Sequence, residues 1–216
     1  MKNIAIIGAN GQIARLVESH YINHEEIQLR LLARKITRLP ETIKNAENVD
    51  LIDGDANSYE DVKKTIQETD IVYLNLGGVF TPMVRNILQV MDDLNVSRLI
   101  HVTGLGLYHE VPEPFESWLE ESVGHSVMED TRVAADLIEQ NQTINATIIR
   151  AAYMSNADKV SYELTTRHEP YKGTTISRAS IADLIEQIID DPTRYQHESL
   201  GIAEPGTDGP YPIYKD

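Results

Sequence analysis

No cysteine occurs anywhere in the 216 residues. That excludes a disulfide framework, a zinc knuckle, an iron–sulfur site and a cysteine nucleophile together. Basic residues are scarce: 19 Lys and Arg stand against 34 Asp and Glu, a formal net charge of −15. Such a surface repels phosphate backbones and anionic lipid, so neither nucleic acid nor a membrane surface is an expected partner. Long apolar runs are missing as well. None approaches the ~20 residues that a membrane span needs. The apolar stretch at residues 4–7 is closed by Gly8 too soon for a signal peptide. Aromatic residues make up only 6%, yet hydrophobic residues reach 41%, enough for a packed core and against global disorder. The expectation is a cytoplasmic protein forming one domain over residues 1–216.

What is present is an alternation of short apolar runs and longer amphipathic ones. Residues 4–7 read as a strand buried on both faces, and residues 12–21 place Ile13, Leu16, Val17 and Tyr21 at helical spacing. Further strands are expected at 27–32, 49–52, 71–74, 99–102, 146–149 and 199–203. Helices are expected at 59–67, around Val84, Ile87, Leu88, Met91 and Leu94, around Val133 to Ile138, and around Ile181 to Ile189. Residues 104–125, which hold Gly104, Gly106, Pro112, Pro114 and a run of glutamates, read as a long irregular stretch, and such stretches are usually functional or mobile. Residues 160–166 and 174–177 look β-rich. The alternation predicts an α/β, Rossmann-type, doubly wound and mostly parallel sheet in the order 3-2-1-4-5-6, with helices on both faces. Residues 153–177 would form a small substrate-side elaboration.

Gly8-Ala9-Asn10-Gly11-Gln12-Ile13-Ala14 lies between the first strand and the first helix. The first glycine permits a tight turn, the second a close approach of backbone to a pyrophosphate, and Ala14 close packing of helix on strand. The helix N-terminus adds free N–H groups and a positive dipole. Strand before, helix after and a second strand at the expected remove supply the context that such a pattern needs for dinucleotide binding. The second strand then ends Leu32-Ala33-Arg34-Lys35, with Arg38 one turn on and no acid before Glu41. A carboxylate there would suit the ribose 2′-hydroxyl of NAD(H), whereas arginine suits a 2′-phosphate, so NADP(H) is expected over NAD(H).

These residues resemble the atypical short-chain dehydrogenases, in particular the NmrA-like NAD(P)H-binding group that also contains flavin and biliverdin reductases. The matching pieces are the Gly8–Ala14 turn, Leu32-Ala33-Arg34, Gly54-Asp55, Asn75-Leu76-Gly77-Gly78, residues 98–103, residues 146–150 and residues 175–183. The resemblance implies a cofactor across the C-terminal edge of the sheet. Asp55 and Ala56 would lie near adenine, Leu76 and Gly77 would line the ribose and pyrophosphate wall, and Thr103 would sit beside the nicotinamide.

Departures from the family pattern are equally specific. Members that act on alcohols carry Tyr-x-x-x-Lys in the helix after the fifth strand, where the lysine lowers the tyrosine pKa for proton transfer. This chain has that spacing at Tyr59/Lys63 and Tyr211/Lys215, both in the wrong place, and has His125, Glu129 and Arg132 where the pair belongs. Relatives often have Arg-Pro-Gly after the sixth strand; here it is Arg150-Ala151-Ala152. Two catalytic candidates remain. Thr103, at a strand end, either orients a substrate carbonyl or is an ordinary strand residue. Tyr108 either reaches over the nicotinamide or packs like the other tyrosines. His101 reads as a satisfied core histidine, and His20 and His24 as surface residues rather than zinc ligands. The expected function is NADPH-dependent hydride transfer to a small conjugated acceptor, flavin- or quinone-like, with Tyr108 and Trp118 stacking over it. The alternative is a non-catalytic NADP(H)-sensing regulator that acts through a protein partner. A nucleotide-sugar epimerase lacks both the Tyr/Lys pair and the length for a substrate lobe.

Overall fold

Residue alternation within one strand assigns the two faces of the sheet. In β1 (Lys2–Ile7), Ile4 and Ile6 pack on one side and Ala5 and Ile7 on the other, as the two-residue period of a strand requires. A computed structural model describes residues 1–215. The chain continues through α1 (Gln12–Tyr21), β2 (Ile27–Ala33), a 3-10 turn (Ile36–Arg38), α2 (Glu41–Lys44), β3 (Val49–Asp53), α3 (Tyr59–Ile66), β4 (Ile71–Leu74), α4 (Phe80–Leu94) and β5 (Arg98–Gly104). It then forms α5 (Phe115–Val123), α6 (His125–Gln140), β6 (Asn145–Ala151), β7 (Tyr153–Ser155), β8 (Glu163–Thr165), β9 (Thr175–Ser177), α7 (Arg178–Asp190) and β10 (Glu198–Ala203).

The main sheet runs β3-β2-β1-β4-β5-β6-β10-β8, and the expected order 3-2-1-4-5-6 is its first six strands. All neighbours are parallel except β8, which runs antiparallel to β10 at the edge. Helices α1 and α7 cover one face through Val17, Tyr21, Ile181 and Ile185. Helices α3, α4 and α6 cover the other through Val62, Val84, Ile87 and Ile138. No helix among the described residues is long and apolar enough to cross a membrane.

Three local expectations differ from the structure. On α1, Leu16 is 42% exposed while Glu18 is fully buried; the inward stripe is Ile13, Ala14, Val17, Glu18 and Tyr21, one position round from the pattern that hydrophobicity alone suggests. Residues 104–125 are not wholly irregular, because Phe115 and Leu119, four apart, bury one face of α5. The β-rich reading of 160–166 shrinks to the three residues of β8, and the short β7 forms a separate two-stranded parallel ribbon with β9, Met154 opposite Ile176.

Candidate functional site

Two adjoining clefts lie along the C-terminal edge of the parallel strands. The larger, about 830 Å³, is lined by Gly8, Asn10, Gly11, Arg34, Lys35, Asp55, Ala56, Leu76 and Gly77, together with Arg38 and Asn75. The smaller, about 260 Å³, is lined by Gln12, Ile13 and Thr103, with Asn75 and Leu76 shared between the two. Phe80, Val102, Gly104, Met154 and Arg178 complete it.

The turn after β1 is held by Asn75, at the end of β4. Gly8 has φ +92°, and a Cβ there would stand 2.2 Å from the Asn75 carbonyl oxygen; a Cβ on Gly11 would stand 1.6 Å from the Asn75 side-chain nitrogen. Both glycines are therefore required by the neighbouring strand before any ligand is considered. The Asn75 amide donates to the Gly8 carbonyl at 3.4 Å, and its Oδ1 accepts from the Tyr73 hydroxyl at 3.1 Å. Asn75 enters the sequence reading only as part of Asn75-Leu76-Gly77-Gly78, without a role, although a polar residue closing an apolar strand just before Leu76-Gly77-Gly78 is the signal that marks it. Behind this turn the buried Glu18 carboxylate finds no hydrogen-bond partner among the described residues, and burial pushes its pKa up to about 8 against the weaker pull of Arg15.

The donor set suits a dinucleotide. Helix α1 begins at Gly11 with no side-chain cap and no acid in its first turn, so its leading N–H groups and dipole remain available to an anion. Opposite them, Asn10 donates from Nδ2 to the Arg34 and Lys35 carbonyls at 3.0 and 3.3 Å, tying the turn to the basic loop. Lys35 takes a left-handed conformation, φ +62°, with its N–H donated to Asp53 Oδ1 at 2.8 Å. The exposed Arg34 side chain makes no hydrogen bond or ion pair to any described residue. Asp55 is held below the usual carboxylate range by the Asn57 backbone and side chain, with Arg34 adding to the effect.

In the smaller cleft Thr103 is 4% exposed and its Oγ1 has no partner among the described residues. His101, two residues earlier on β5, is buried beside Phe80, with ring centroids 6.1 Å apart. It is a core residue but not a satisfied one: both ring nitrogens lack a partner among the described residues, and burial lowers its pKa to about 4. Tyr108 does not reach this cleft. Its hydroxyl donates to Glu139 at 2.6 Å and accepts from the Ser199 hydroxyl at 2.8 Å, and the guanidinium groups of Arg150 and Arg167 both lie against its ring. Trp118 is likewise absent from the lining and packs on Phe115 and Tyr153. The expectation that these two rings stack over an acceptor is therefore corrected: charge pairing and the hydrophobic anchoring of α5 draw both rings elsewhere. No tyrosine or lysine lines the smaller cleft among the described residues. At the expected Tyr/Lys position, Arg132 instead donates to the Gly106 carbonyl and pairs with Glu120.

Arg150 organises the strand-end loops on this side. Fully buried, it pairs with the Glu110 carboxylate at 2.6 Å and donates to the Thr166 and Ser199 carbonyls at 3.0 and 3.2 Å. Glu110 in turn accepts from the Gly106 and Tyr108 N–H groups at 3.1 and 2.8 Å. The loop that follows Thr103 is thus pinned to β6, β8 and β10 by one ion pair.

A twisted parallel sheet of this order, with a glycine turn and an uncapped helix at its carboxyl edge, defines a Rossmann dinucleotide-binding protein of the short-chain dehydrogenase/reductase type. The chain belongs to the NAD(P)H-binding family, whose pattern it matches over residues 8–192. It is similar to a short-chain dehydrogenase/reductase from Veillonella parvula solved in complex with NADP, at 26% identity and TM-score 0.92 over 99% of both chains. A Rossmann-fold NAD(P)-binding family protein from Shigella flexneri is 36% identical, with TM-score 0.83 over the whole of both chains. ChuY, an anaerobillin reductase from Escherichia coli O157:H7, shares the fold at 14% identity and TM-score 0.79, over 96% of this chain and all of that one. No curated protein sequence matches the chain.

Proposed function

We propose that the protein is an NADPH-dependent oxidoreductase that reduces a small conjugated acceptor, flavin- or quinone-like, bound beside Thr103. The observation that carries this reading is the continuity of the two clefts. One holds the glycine turn and three basic residues; the other holds a buried, unpaired hydroxyl and neither tyrosine nor lysine among its described lining residues.

Gly8, Gly11, Gln12, Ile13 and the open end of α1 would hold the pyrophosphate. Arg34, helped by Lys35, would take the 2′-phosphate, which the planar guanidinium fork suits. Asp55 and Ala56 would border adenine, with Asn10 fixing the basic loop and Leu76 and Gly77 forming the ribose wall. The bound nicotinamide supplies a hydride. Thr103 offers its hydroxyl to a polar atom of the acceptor. A conjugated acceptor spreads the added charge and can take its proton from water, whereas a saturated ketone develops localised charge and needs a positioned acid. The whole chain acts as one dinucleotide-binding unit, with residues 153–177 bordering the acceptor side.

The test is a pair of titrations with NADPH and NADH, followed by NADPH oxidation with menadione and with a flavin. Arg34→Ala should weaken NADPH by about 1.5–3 kcal/mol and leave NADH unchanged. Equal losses for both would remove Arg34 from the 2′-phosphate. Tight NADP(H) binding without turnover of any flavin or quinone would instead leave a regulator that senses the cofactor.

A further inference from the structure

Among its described lining residues the acceptor cleft contains a single ionisable side chain, Arg178. In a chain of net charge −15, a cleft whose described lining has a cation and no carboxylate is a local reversal of sign. The ribbon of β7 and β9 builds it. Ser155 stands opposite Ser177, so the next residues, Asn156 and Arg178, leave the ribbon side by side, and Met154 turns into the cleft. Ser177 caps α7 by accepting from the Ser180 N–H at 3.0 Å and donates to the Lys159 carbonyl at 2.6 Å, which fixes the backbone that presents Arg178.

The half-buried Arg178 spends one donor on Asn156 Oδ1, at 2.8 Å, and has no carboxylate within 4.0 Å among the described residues. A guanidinium has five donors in a planar fork matched to carboxylate or phosphate. Across the same small cleft the Thr103 hydroxyl is almost wholly buried and has no partner among the described residues. A buried polar group without a partner is costly, and a ligand that brings its own acceptors would satisfy the Thr103 hydroxyl and engage the remaining donors of Arg178 at once. Arg178 does not line the larger cleft that holds Arg34 and the glycine turn, so its charge is directed to the acceptor side.

We propose that this cleft selects an acceptor bearing an anionic group, a carboxylate or a phosphate, which Arg178 grips while Thr103 addresses the conjugated system. The inference rests on the acceptor reading above and adds the charge of the acceptor to it. FMN and riboflavin are matched probes, since they share a ring system and differ by one phosphate. Calorimetric titration of each into protein saturated with NADP+ should give FMN at least roughly tenfold tighter binding. Arg178→Gln should erase that preference with NADP+ affinity unchanged, and Arg178→Lys should keep part of it. Equal affinity for the two flavins, or binding of neither with NADP+ in place, overturns the inference. So does an Arg178→Gln variant that loses NADP+ as much as FMN, which would assign Arg178 to the cofactor. Failure of the wild type to bind NADP+ would overturn the proposed function itself.

Discussion

The larger cleft and the smaller one are built by different means. The first assembles from the ends of β1, β2, β3 and β4, each followed directly by the loop that supplies its residues. Most contributing segments are the turns that follow these strands, joined by Pro82 and Met83 of α4, and their positions follow from the right-handed crossover that places the next strand. The second draws Thr103 from β5, Met154 from β7 and Arg178 from the start of α7, segments brought together by a two-stranded ribbon and by the buried Arg150–Glu110 pair. The larger cleft is thus a property of the fold, whereas the smaller one is a property of particular side chains laid over it. Activities on one Rossmann scaffold can diverge on the second cleft while the first stays recognisable.

Variants can separate the two sides. The largest expected effect is at Arg150. Arg150→Met leaves Glu110 buried without its partner, at about 3–5 kcal/mol by urea denaturation, and should raise the acceptor Michaelis constant with NADP+ affinity retained. Parallel loss of NADP+ binding would mean that the clefts are not independent. Glu18 comes next, and it tests the nucleotide side through stability. Its carboxyl is raised from 4.5 to about 8, so over that interval the folded protein keeps a proton that the unfolded chain has released. Stability should accordingly fall by about 1.4 kcal/mol per pH unit as pH rises through that window, then level off above it. Glu18→Gln, neutral throughout, should remove this contribution, and the wild-type-minus-variant difference measured at pH 5, 6.5 and 8 reads it directly.

Thr103→Val keeps the shape and deletes a hydroxyl that has no partner among the described residues. Melting temperature should hold or rise, while turnover should drop roughly tenfold to a hundredfold if the hydroxyl meets the acceptor; unchanged turnover would detach Thr103 from the chemistry. The smallest effect belongs to Tyr108→Phe. Loss of the bonds to Glu139 and Ser199 should cost about 0.5–1.5 kcal/mol of stability and leave turnover and the acceptor Michaelis constant unaltered. A collapse of turnover would instead make Tyr108 the proton donor.

Legibility in the sequence follows the same division. The six-strand order, the glycine turn and the Arg34-Lys35 strand end could be read because each is a local pattern, with apolar period, breaker and cap within a dozen residues. Asn75 was within reach, since it ends a strand already identified. Leu16 falls in the apolar stripe of α1 and Glu18 does not, because hydrophobicity ranks residues singly, whereas burial depends on which face meets β2 and α7. Tyr108 was misplaced for a related reason: its environment is set by Glu139, Arg150, Arg167 and Ser199, three of them more than forty residues away in the chain. The strands, the dinucleotide turn and the basic strand end are legible along the chain because each is a local pattern, and the handedness of the crossovers then restricts the order in which the strands pair. That Thr103 and Arg178 share a cleft, and that Tyr108 stands outside it, is visible in the folded chain alone. Those relations depend on long-range packing and on which charges find a partner, and no spacing along the chain encodes them.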